Sequence, residues 1–71
     1  MSGAEILALR TSVGMSRAEF GGLVGASAMS VWRWETGQAT PTGLYAKSLE
    51  DLVGRVAMAE QASRMHVEAT A

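Results

Sequence analysis

The chain has 71 residues, 48% hydrophobic and 6% aromatic, which is room for one small domain and a short extension and too apolar for a disordered chain. It has no cysteine, which excludes a disulfide framework and a zinc finger. Six Lys and Arg against seven Asp and Glu give a formal charge of −1, so any attraction to a polyanion has to be local rather than spread over the surface.

Taken in chain order, Ala4 to Val13 carries Ile6, Leu9 and Val13 at helical spacing, and Gly14 follows as a stop. Ser16 followed by Glu19 reads as a capping box opening a second helix over 16–24, with Phe20 and Val24 buried one turn apart. Gly21 lies beside Phe20, where a missing side chain lets the next helix approach closely; Gly21 and Gly22 each lower helix propensity by about 1 kcal/mol relative to Ala. Gly25 stands where that helix must stop in a left-handed residue, and Ser27 is placed to cap a third helix that ends before Gly37. Residues 38–41 form a loop, and Thr42 is a candidate cap for a helix from Gly43 to about Glu68. The expected core stripe of that helix is Leu44, Leu49, Leu52, Val53 and Val56, with Gly54 either a kink or a boundary. The fold class is all-α, four or five helices, with a domain over 1–56 and a helical extension over 57–71.

At about 100° per residue, Ser27, Val31, Trp34 and Glu35 share one face of the third helix. Ala28, Met29, Trp32 and Arg33 share the opposite face, where Met and Trp beside Arg call for a partner surface. A helix, a glycine turn and a second capped helix is the pattern of a helix-turn-helix, which places its second helix in a DNA major groove.

The ordered set Leu9-Arg10, Gly14-Met15-Ser16-Arg17, Phe20-Gly21, Val24-Gly25, Val31, Trp34-Glu35-Thr36-Gly37 and Pro41 resembles the phage repressor and Cro type of helix-turn-helix, also called lambda-repressor-like. The resemblance covers about residues 5–56. It implies a small helical bundle, a homodimer, and a third helix that reads bases. It also implies that Arg10 and Glu35 pair as a structural ion pair, and that Ala28, Met29 and Arg33, with Trp32 beside them, face the base pairs. The family usually has alanine where this chain has Gly21, and often polar residues where it has Ala28 and Met29.

Arg33 is the side chain of that face suited to bidentate contact with guanine, and Met29 or Ala28 to a thymine methyl. Ser16, Arg17, Ser27 and Ser30 lie in first turns, where backbone N–H groups and the helix dipole favour a phosphate; plain capping is the simpler role for the serines. Met58, Ala62 and Met65 continue an apolar stripe beyond the domain and are the expected dimer contact. The expected function is a sequence-specific regulator that binds double-stranded DNA at an inverted repeat as a homodimer and represses its own operon. The alternative is an antitoxin-type protein that neutralises a co-encoded partner protein. An enzyme is disfavoured: there is one His, no Cys, and no strand leading into a phosphate-cradling glycine loop. No metal and no cofactor are expected. No run approaches the roughly 18 apolar residues of a membrane span, and no leader pattern opens the chain, so a cytoplasmic location is expected.

Overall fold

Three serine caps and a left-handed glycine set most of the helix ends. The computed structural model describes the backbone of residues 1–70 and the side chains of residues 1–63. Its helices are α1 (Gly3–Ser12), α2 (Arg17–Val24), α3 (Ala28–Glu35) and α4 (Gly43–Thr70), with no strand among the described residues. α1 starts one residue earlier than its hydrophobic spacing implies because Ser2 and Glu5 form a second capping box. The Ser2 hydroxyl accepts from the Glu5 N–H, and the Glu5 carboxylate accepts from the Ser2 N–H. Ser16 and Glu19 repeat the arrangement at α2, and the Ser27 hydroxyl accepts from the Ser30 N–H at α3. Gly25 ends α2 at φ +77°, a left-handed position that glycine enters without steric cost.

Ile6, Phe20, Val31 and Leu49 are the most completely enclosed side chains, and each comes from a different helix. Burying each contributes about 1.5–3 kcal/mol, so this four-residue cluster joins every element. Val24 and Trp34 complete it, and Leu9, Val13, Met15, Ala26 and Leu52 pack around it. Trp34 also meets Tyr45 of α4, with ring centroids 5.6 Å apart and planes tilted by 55°, a favourable aromatic geometry.

Two glycines permit backbone contact between helices. A Cβ on Gly21 would collide with the Ala26 carbonyl oxygen, and the Ala26 N–H donates to the Gly21 carbonyl at 2.8 Å. The turn folds back onto α2 at Gly21, where there is no side chain in the way, while the neighbouring Gly22 faces open space. Gly3 sits on the last turn of α3, where a Cβ would lie 2.5 Å from the Trp34 carbonyl oxygen.

α4 departs from the expected stripe. Leu49 is buried and Leu52 and Val56 are half-buried, but Leu44 is 82% exposed and Val53 is 39% exposed. At about 100° per residue, Leu44 lies about 140° around the helix from Leu49, so the two cannot share one packed face. Val53 lies at the edge of the packed stripe. Gly54 is neither kink nor boundary, since α4 passes through it unbroken. No helix among the described residues is long and apolar enough to cross a membrane.

Candidate functional site

α3 packs its inward face on α1 and α2, and its last turn holds a charged joint. The Glu35 side chain is 3% exposed and lies between two arginines. Arg10 at the end of α1 donates from Nε to Glu35 Oε2 at 2.6 Å and from a terminal nitrogen to Oε1 at 3.3 Å. Its other terminal nitrogen donates to the Met15 carbonyl at 3.0 Å. One guanidinium thus fixes both the α1–α2 turn and the α3 terminus, a bidentate use that suits arginine. Arg17, at the first position of α2, donates from Nε to Glu35 Oε1 at 3.0 Å. Burial pushes the Glu35 carboxyl up, but the hydrogen bonds and charges of Arg10 and Arg17 outweigh it and hold the group below its ordinary value. The bond to Glu35 raises the Arg10 guanidinium in return.

The Arg10–Glu35 pairing is present as expected, and Arg17 was missed as a member of the same joint. No local pattern links Arg17 to Glu35; the contact arises only when α2 and α3 pack. The second capping box, by contrast, was present in the S-x-x-E spacing of Ser2 and Glu5.

With the inward face so committed, the outward face of α3 is open. Ala28, Met29, Trp32 and Arg33 are all exposed, Met29 to 55% and Trp32 to 37%. Ala28, Met29 and Trp32 line a shallow apolar depression with Arg17 at its rim. Arg17 therefore belongs to both sides, its Nε on Glu35 and its side chain 43% exposed. Ser16 and Ser27 cap their helices, and the Ser27 hydroxyl donates to Ser30 Oγ at 3.1 Å. The N-terminal turns of α2 and α3 thus offer backbone N–H groups, two cap hydroxyls and the Arg17 guanidinium.

Further along α4, residues 57–63 are all exposed, including Met58 at 70% and Ala62. The third residue of that stripe, Met65, lies outside the described side chains. No family model, curated protein or solved structure matches the chain.

Proposed function

We propose that the protein is a DNA-binding repressor of its own operon, acting as a homodimer through a helix-turn-helix formed by α2, the Gly25 turn and α3. The observation that carries this reading is the division of α3. One face is locked by Val31, Trp34 and the arginine-bound Glu35, while the other presents Met29, Trp32 and Arg33 to solvent. A rigidly held helix with an exposed apolar and guanidinium face fits the major groove, which admits an α-helix. In this docking Arg33 contacts a guanine edge. Arg17, Ser16, Ser27, Ser30 and the helix N-termini meet phosphates and set the register.

Six basic residues in a chain of net charge −1 provide little general attraction to phosphate, so affinity depends on base contacts and on two copies acting together. Two-fold symmetry then requires an inverted repeat with half-sites about 34 Å apart. Selection of bound duplexes from a random DNA pool by the full chain tests the reading. Enrichment of such a repeat is expected; a pool that stays random rules it out.

The exposed Met58 and Ala62 support dimerisation through the distal part of α4. Sedimentation of a chain ending at Val56 is expected to show a weakened dimer. A dimer of unchanged strength moves the interface to the exposed Leu44, Tyr45 and Leu7. The same exposed segment favours the antitoxin reading as the second choice, tested by whether a co-encoded protein binds it.

A further inference from the structure

Resting on the DNA-binding reading above, the shallow depression on α3 specifies what chemical feature of a base pair this protein reads there. Ala28, Met29 and Trp32 line it. Ala28 and Met29 are the first two residues of α3, and Trp32 lies one turn above Ala28. These are the N-terminal positions of a helix from which base edges are reached in such docking. Ala28 has neither donor nor acceptor, Met29 has only the weak thioether acceptor, and the indole N–H of Trp32 is the single strong donor of these three side chains.

Such a surface is blind to most of the major-groove code. That code is written in hydrogen-bond donors and acceptors, with one apolar mark, the methyl group on C5 of thymine. An apolar lining recognises that mark and leaves the ring polar atoms to water. The setting has the complementary charge as well. Arg17 also lines the depression, half-exposed, with Nε held by Glu35, and its two terminal nitrogens make no bond to Glu35, leaving a guanidinium beside the apolar patch for a phosphate.

We infer that the depression lined by Ala28, Met29 and Trp32 is a receptor for the C5-methyl group of a pyrimidine, with Arg17 clamping a neighbouring phosphate. It discriminates by methyl burial and not by hydrogen bonding. Thymine and 5-methylcytosine carry that group at the same position, so cytosine methylation at the contacted base pair strengthens binding.

The test uses the full chain and the duplex enriched from the random pool. Each thymine is replaced in turn by deoxyuridine, which removes the methyl and nothing else. At one thymine per half-site the affinity is expected to fall about fourfold, the value of one buried methyl group. At that same position, 5-methylcytosine is expected to bind about fourfold more tightly than cytosine. Met29→Ser and, separately, Ala28→Ser are expected to shrink both differences while leaving the melting temperature unchanged, since both residues are exposed. If every deoxyuridine duplex binds like the parent, or cytosine and 5-methylcytosine bind alike, the inference falls and the DNA reading stands. Methyl penalties that persist undiminished in both variants place the methyl contact elsewhere and also overturn it. A pool with no enrichment overturns the DNA reading, and this inference with it.

Discussion

The two faces of α3 are built from similar residues to opposite ends. Each carries one tryptophan, at least one aliphatic or thioether side chain and one charged group. Inward, Trp34 packs against Tyr45 at a tilt, Val31 is enclosed and Glu35 is held by two arginines. Outward, Trp32, Met29 and Arg33 are exposed. Residue type therefore does not assign a role; the partners that tertiary packing brings do. The inward charge is a stability element and the outward charge is the proposed binding element, and substitutions separate the two.

The largest effect is expected from Glu35→Gln. It leaves Arg10 and Arg17 facing a neutral amide in a nearly closed site, and breaking such a pair is far more costly than never having built it. The melting temperature is expected to fall by about 10 °C or more, followed over a thermal scan by circular dichroism. A double change of Arg10 and Glu35 to apolar residues is expected to recover part of that loss. The same pair has a pH signature. Because the folded carboxyl lies below its ordinary 4.5, the unfolded chain binds more protons there. The stabilisation is thus complete above that value and is lost as pH falls through the lower, folded one. Glu35→Gln removes that part of the acid sensitivity. The part due to Glu5 and Glu19 remains, whose bonds to Ser2 and Ser16 also hold them low. A variant that melts like the parent but fails on DNA would move Glu35 from the joint to the binding surface.

Arg33→Ala tests the other face. Operator affinity is expected to drop by about 1–3 kcal/mol, with relaxed preference at one base pair, while stability stays within about 0.5 kcal/mol. Competition binding against point-substituted duplexes measures the first and thermal melting the second.

Adjacent glycines of α2 sharpen the contrast at a smaller scale. Gly22 is exposed with open space around it, so Gly22→Ala is expected to add about 1 kcal/mol from helix propensity. Gly21→Ala has the same propensity gain but drives a methyl into the Ala26 carbonyl. It is expected to destabilise. Denaturant midpoints of the two variants, on either side of the parent, are the readout. A loss of stability smaller than that of Glu35→Gln is expected from Arg17→Ala, because Arg10 alone still gives Glu35 two hydrogen bonds and the lost pair is half in solvent. On DNA it is expected to weaken all sequences alike and to lower the salt slope by about one, read from binding titrations at several salt concentrations.

Much of this architecture was legible because it is local. Ser16 with Glu19, Gly25 and Ser27 each act within one turn of chain, and they set the ends of α2 and α3 where the structure has them. The inward and outward faces of α3 follow from helical periodicity alone. What escaped depends on distant chain segments. Leu44 has the composition of a core residue, but its angular offset from Leu49 leaves it in solvent. Gly3 looks like an N-terminal afterthought until the last turn of α3 is laid on it. Arg17 has the look of a free surface cation until Glu35 arrives beside it.

The unbroken passage of α4 through Gly54 has a consequence for phase. At about 1.5 Å and 100° per residue, a continuous helix transmits both distance and rotation from Leu49, where it is anchored in the core, to Met58 and Ala62, where the proposed partner copy meets it. Two residues inserted between them would turn the bundle of each copy by about 200° about its own α4 and point α3 away from a shared DNA face. Seven would lengthen the arm by about 10 Å yet leave α3 within about 20° of its original bearing. In a dimer of this construction the operator is matched to the helical phase of α4 as much as to the side chains of α3.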